Sequence, residues 1–352
     1  MKKDAFEFLK TLLETPSPSG FEAPAQAVVR RYMERFCQCV RSDLSGNLIG
    51  VLNENGRPRV MLAGHVDHIG LMIQYVSDEG FLYFDSIGGV DVGLLPGQKV
   101  LIHTASGPVP GVVGKKPIHV MEREEKQKPP KIEQLWIDIG ARNKKEALRL
   151  VSVGDPVTFS LGIQRLKNDF VVGSGFDDKI GSFVVAESLR RLAGKKFPAA
   201  VFAVSTVQEE LGIRGARTSA FGIEPDIGIA VDVGLATDHP DIDRRKIGEA
   251  ALGKGPIVYK GANVNPVLGK MVLDVARRER IPVQVKGAPG ATGTDANVIQ
   301  VSRSGVATAL VCVANRYMHT PVEMVSLKDL ELASRLVAAV VVNLTGKENF
   351  IP

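Results

Sequence analysis

The sequence predicts an α/β fold with a small all-β insert. Three observations point to it. Residues 199–204 (AAVFAV) and 226–233 (DIGIAVDV) are short apolar runs flanked by segments of helical period, as expected of buried parallel strands. Between residues 71 and 161 the texture changes. Gly88-Gly89, Pro96-Gly97, Gly107-Pro108 and Gly111 break the chain into short runs with little helical periodicity, the pattern of a small barrel or sandwich. Finally, polar and acidic residues gather where the predicted strands end, and open α/β sheets bind ligands there.

Taken in order, Phe6, Leu9, Leu12 and Leu13 recur at helical spacing, so the chain opens on an amphipathic helix. Pro16 and Pro18 end it, and residues 17–20 (SPSG) form a turn. A second helix is expected over 23–36, then extended structure over 40–52. Residues 53–56 (NENG) carry the Asn-Gly signature of a tight hairpin. The return strand, 59–63, runs into 64–70 (GHVDHIG), where His65 and Asp67 would share one face of an extended backbone. A carboxylate so placed can steady a metal-binding imidazole. Within the insert, 121–131 (MEREEKQKPPK) is charged and doubly proline-broken, and a mobile solvated loop is expected.

The α/β pattern resumes at 173–181 (GSGFDDKIG), with a helix expected over 179–192. Asp177 and Asp178 stand at its start, where aspartate is also an ordinary cap. After the strand 199–204 come Glu209 and Glu210; on extended backbone their side chains would diverge and serve different partners. Asp232 ends an apolar strand that disfavours it and so needs a polar partner. Residues 290–296 (GATGTDA) form a glycine-rich loop without the lysine or spacing of a phosphate cradle. A strand over 307–313 leads to His319, and a helix over 327–341 closes the chain.

Composition bounds the function. The 352 residues carry 44 basic and 39 acidic side chains, a formal charge of +5, with no dense basic stripe, so nucleic acid is not an expected partner. Three cysteines make no disulfide framework. No apolar run approaches membrane-spanning length, and the first residues do not read as a signal peptide. A cytoplasmic protein with no membrane partner is expected.

Each polar site is weak alone, since His-x-Asp and Glu-Glu are common on surfaces. Together, His65, Asp177, Glu209-Glu210, Asp232 and His319 offer two imidazoles and several carboxylates, a donor set suited to a pair of Zn²⁺ or Co²⁺ ions. Three carboxylates and one hydroxide would balance two divalent ions, leaving a fourth carboxylate to handle protons.

The order His-x-Asp, Asp-Asp-Lys, Glu-Glu, Asp, His resembles the co-catalytic zinc-dimer peptidases. GHVDHIGLMI, GGVDVGLLPGQKV, PKIEQLWIDIGA, VQEELGIRGA, TGTDA and RYMHTP narrow the resemblance to the M42 family of tetrahedral aminopeptidases, over nearly the whole chain. The resemblance implies a mixed central sheet flanked by helices, in a catalytic domain of residues 1–70 and 162–352 with a β-barrel dimerisation domain of residues 71–161 inserted. It implies His65, Asp177, Glu210, Asp232 and His319 as metal ligands, with Asp177 bridging two divalent ions per subunit. Glu209 would be the general base, and Asp67 would steady His65. Substrates would be peptides with free N-termini, and the assembly a homododecamer built from dimers. His68 departs from the acidic residue expected there. Rival readings are a related metal-dependent deacylase or carboxypeptidase, an endoglucanase, and a non-enzymatic shell protein.

Overall fold

The structure, a computed structural model, describes residues 1–352, the Glu125 side chain excepted. Helix α1 (Lys3–Glu14) buries Phe8, Leu9, Leu12 and Leu13. Helix α2 (Ala23–Met33) starts with a proline in its first turn, where no backbone N–H is needed, and ends short of the predicted Phe36. The extended stretch expected over 40–52 is two antiparallel strands, β1 (Cys39–Ser42) and β2 (Leu48–Leu52). Asp43 makes the turn between them, its carboxylate accepting from the Ser45 and Asn47 N–H groups.

Strand β3 (Arg59–His65) follows, but the hairpin predicted at 53–56 does not form. The strand Ala200–Thr206 lies between β2 and β3. The Asn53 side-chain amide donates to the carbonyls of Phe197, Pro198 and Ala199, so the turn is stitched to the segment entering that intervening strand.

The insert is a closed barrel of β4 (Gly70–Val76), β5 (Leu82–Ile87), β6 (Lys99–Thr104), β7 (Gly107–Lys115), β8 (Leu135–Asp138) and β9 (Pro156–Phe159), with α3 (Lys144–Ala147) between the last two. The barrel order is β4-β5-β8-β7-β6-β9 and every pair is antiparallel. Closure leaves no free edge. Ile73, Leu82, Ile102, Leu135, Ile137 and Val157 belong to a core of the barrel's own. Within 121–131 the backbone makes one short 3-10 turn, Glu125–Gln127.

The rest of the chain is β10 (Ile163–Arg165), β11 (Phe170–Gly173), α4 (Phe176–Leu192), β12 (Ala200–Thr206), α5 (Arg214–Ile223), β13 (Ile227–Leu235), α6 (Arg244–Ile247), β14 (Ile257–Gly261), α7 (Pro266–Arg278), β15 (Gln284–Ala288), α8 (Ala296–Ile299), β16 (Ala307–Asn315), β17 (Glu323–Ser326) and α9 (Leu327–Val342). The main sheet runs β1-β2-β12-β3-β13-β16-β14-β15. Its four central strands, β12, β3, β13 and β16, are parallel, whereas β2 and β14 join antiparallel, so the sheet is mixed. One apolar layer unites the sheet with α1, α2, α4, α7 and α9, and another with α5 and α8.

Helix α4 is buried almost all round, which is why its sequence shows little amphipathic pattern. It reaches β3 through a glycine contact. A Cβ on Gly64 would lie 2.4 Å from the Gly181 carbonyl carbon. Ser182 also donates to the Gly64 carbonyl at 2.8 Å. This close approach sets the first turn of α4 beside the end of β3. No helix is long and apolar enough to cross a membrane among the described residues.

Candidate metal centre

The four parallel strands end side by side, and the predicted residues gather at their carboxyl ends. His65 is the last residue of β3, Asp232 lies near the end of β13, Glu209 and Glu210 follow β12, and His319 follows β16. Asp177 comes from the first turn of α4 and is joined to Asp178 by a cis peptide bond.

Asp177 stands between the two histidines. Its Oδ1 is 3.3 Å from His65 Nε2 and its Oδ2 is 3.2 Å from His319 Nε2. Glu209 lies 3.7 Å from His65 Nε2, and Glu210 lies 3.5 Å from His319 Nε2. Two groups are compact enough to hold an ion each: His65 with Glu209 and Asp232, and Asp177 with Glu210 and His319. Glu209, assigned from the resemblance to proton handling, thus falls inside the first group. The alternation argument for the glutamate pair fails in its premise. β12 stops at Thr206, and Gln208 has φ of 53°, so the pair sits on a turn. The turn still sends the two side chains to different histidines.

Both histidines are fixed through the nitrogen that faces away from the cluster. His65 Nδ1 donates to the Asp67 carbonyl at 3.0 Å and His319 Nδ1 to the Gly89 carbonyl at 2.9 Å. With Nδ1 as the donor, Nε2 is the nitrogen of each neutral imidazole that a metal could take. Gly89 belongs to the segment between β5 and β6, so the insert reaches the cluster.

Asp67 does more than adjoin His65, whose Nδ1 is 3.5 Å from its carboxylate. Its two oxygens accept from the Glu209 N–H at 3.1 Å, the Glu210 N–H at 3.2 Å and the Ser19 hydroxyl at 2.6 Å. One buried carboxylate therefore holds the glutamate turn. Sequence reasoning missed a second such residue. Glu323, wholly enclosed, accepts from the Asp177 N–H, the His319 N–H and the Asn315 amide, linking the segments that carry two of the predicted ligands. No local pattern marks Glu323; only the pairing of β17 with β11 brings it there. Asp178 is the capping member of its pair, accepting from Gly181 N–H. His68 is a satisfied core residue: Ser17 N–H donates to its Nε2, and its Nδ1 donates to the Ile69 carbonyl.

The electrostatics are those of too many acids with too few cations. Burial, first, and neighbouring acids push the carboxyls of Glu209 and Glu210 up to about 8. Asp232 is driven well up by burial and by Asp177. Asp177 runs the other way: burial raises it, but the His319 and His65 imidazoles outweigh burial and hold it below the usual range. The bond from Asp177 raises His319 to about 10. Among the ligand candidates, Glu210 Oε1 is buried and lacks a hydrogen-bond partner. Imidazole nitrogens and surplus buried carboxylates, one with an idle oxygen, fit divalent cations of the borderline kind.

A cleft of about 490 Å³ opens on the cluster and is also lined by Leu235, Tyr259, Lys286, Thr292 and Met318. Lys286 is 6% exposed. Its ammonium donates to the Leu235 carbonyl at 3.3 Å, and burial lowers its pKa.

Residues 46–336 match the family model described as M42 glutamyl aminopeptidase. The lysyl aminopeptidase of Pyrococcus furiosus is 37% identical over 341 residues, covering 95% of this chain and 96% of that protein. A TET aminopeptidase from a marine-sediment Thaumarchaeota archaeon superposes with a TM-score of 0.93 at 36% identity, covering 97% of this chain and 96% of the other. A structure of PhTET1-12s, a dodecamer in the asymmetric unit, has a TM-score of 0.87 at 32% identity and covers 98% and 100%.

Proposed function

Since the chain belongs to the M42 glutamyl aminopeptidase family and is a metallo-aminopeptidase of that family, we propose that it removes N-terminal residues from peptides at the cluster of His65, Asp177, Glu210, Asp232 and His319. The observation that carries this reading is Asp177, one carboxylate whose two oxygens face two different histidines. His65 and Asp232 would hold one ion, Glu210 and His319 the other, and Asp177 both. Zn²⁺ or Co²⁺ bound there would supply a Lewis acid for the scissile carbonyl and make water more acidic.

The chain's own residues do the rest. Glu209 takes a proton from the attacking water as the C–O bond forms. It delivers that proton to the amide nitrogen as the C–N bond breaks, releasing a free amino acid and a shortened peptide. Burial raises its carboxyl above the usual carboxylate range, which strengthens it as a base for the water proton. Asp67 holds the turn that aims both glutamates.

Hydrolysis of aminoacyl-anilides after loading with Zn²⁺ or Co²⁺, abolished by chelator and restored by metal, is the expected result. Cleavage of cellulose instead, or full activity in protein shown by elemental analysis to be metal-free, would overturn the reading. Acyl-amino acids and peptides blocked at the N-terminus test the deacylase and carboxypeptidase rivals.

For the assembly, we read residues 71–161 as a dimer-forming module within a catalytic domain of residues 1–70 and 162–352, the dimers building a dodecamer. The barrel's separate core supports the division, and Val112, Ile118 and Val120, exposed on and beside it, support its use as a contact surface. Light scattering is expected to give about twelve times the 37.9 kDa chain mass; a monomer at micromolar concentration would refute this.

A further inference from the structure

We propose that Lys286 makes the enzyme select peptides whose N-terminal residue has a carboxylate side chain. The inference rests on the aminopeptidase reading above. Family membership does not decide it, because the family is described as glutamyl while a 37% identical relative is a lysyl aminopeptidase.

Lys286 lies on β15, the edge strand of the main sheet, beside Tyr259 of β14 in register. Its side chain passes the Tyr259 ring, with Nζ 6.0 Å from the centroid, and ends at the Leu235 carbonyl. Leu235 is three residues beyond Asp232 on β13. The intervening Gly234 lines the same cleft. The ammonium therefore belongs to the same cleft as the metal-ligand candidates.

A structural role does not account for it. An ammonium has three donors, and the one hydrogen bond found for Lys286, to a neutral carbonyl, is long at 3.3 Å. It forms no ion pair among the described residues, whereas Lys270 and Lys144, at the surface, do. Burying a cation without an anion is costly, and a cleft is where the missing anion can be supplied by substrate. Two substrate carboxylates could answer: an N-terminal Asp or Glu side chain, or the C-terminus of a very short peptide. The proposal is the first, and anilides, which have no C-terminal carboxylate, isolate it.

The test compares glutamyl-, aspartyl-, leucyl- and lysyl-anilides on metal-loaded protein and on Lys286→Gln and Lys286→Arg. Wild type is expected to favour the acidic pair. Lys286→Gln should cut the glutamyl-to-leucyl ratio of kcat/KM about 10- to 100-fold, the worth of a hydrogen bond to a charged group, and Lys286→Arg should keep the acidic preference. Metal content equal to wild type shows that each variant's site is intact. A leucyl or lysyl preference in wild type, or an unchanged ratio in Lys286→Gln, overturns the proposal while leaving the aminopeptidase reading standing. If no anilide is cleaved, that reading falls, and calorimetry still judges Lys286. Free L-glutamate should bind wild type more tightly than L-leucine or L-lysine and lose that advantage in Lys286→Gln; equal affinities overturn the proposal.

Discussion

Glu209→Gln is expected to lower kcat by about 10²- to 10⁴-fold, the usual worth of a positioned proton-transfer group, while leaving about two metal ions per chain. Glutamine keeps the size and polarity of the side chain but cannot take a proton from water. The metal measurement matters as much as the rate, because Glu209 shares a compact group with His65 and Asp232. Were Glu209 a ligand, the variant would lose an ion and regain activity with excess metal. In metal-free protein the thermal midpoint should not fall. Burial and nearby acids already disfavour the charge at Glu209, so a neutral amide there relieves the cluster.

Asp177→Asn should have the larger effect on metal. A bridging carboxylate presents two anionic oxygens, and here they face His65 and His319 at 3.3 and 3.2 Å. An asparagine offers one neutral oxygen and turns an NH₂ toward the other imidazole. Both ions should bind at least about 10- to 100-fold more weakly, the range seen even for residues that only support ligands. Activity should fall at least as far as in Glu209→Gln and be recovered only partly by excess metal. Wild type gains about 2.7 kcal/mol when metal is present at a hundred times its dissociation constant. The variant should forfeit most of that increment, seen as a thermal midpoint that no longer rises with added Zn²⁺. Retention of both ions by Asp177→Asn would refute the bridging role.

Much of this site was legible in the sequence because parallel strands carry their own marker. An apolar run that ends in a polar or acidic residue places that residue at a strand's carboxyl end. His65 and Asp232 sit at the ends of such runs, and Glu209, Glu210 and His319 sit in the turns just beyond them. Asp177 was ambiguous between ligand and cap, and the structure divides the roles between neighbours: Asp178 caps at Gly181 and Asp177 faces the histidines. The grouping of Glu209 with His65 and Asp232 was not foreseen. It depends on the left-handed Gln208, which turns the chain before the pair.

The sequence by itself determined the four central strands, that an all-β insert interrupts the α/β pattern, and which chemical types stand at the strand ends. These follow from hydrophobic period and from glycine and proline, which act over a few residues. The tertiary structure alone decided strand order, and with it everything that depends on neighbours. It put β12 between β2 and β3, where an Asn-Gly turn suggests a hairpin, because the Asn53 amide is satisfied by carbonyls 144 to 146 residues away. It also enlisted Glu323 to hold Asp177 and His319, and brought Lys286 from the sheet edge into the cleft. Such choices rest on contacts between residues far apart in the chain, and local sequence carries no record of which distant donor will meet which buried acceptor.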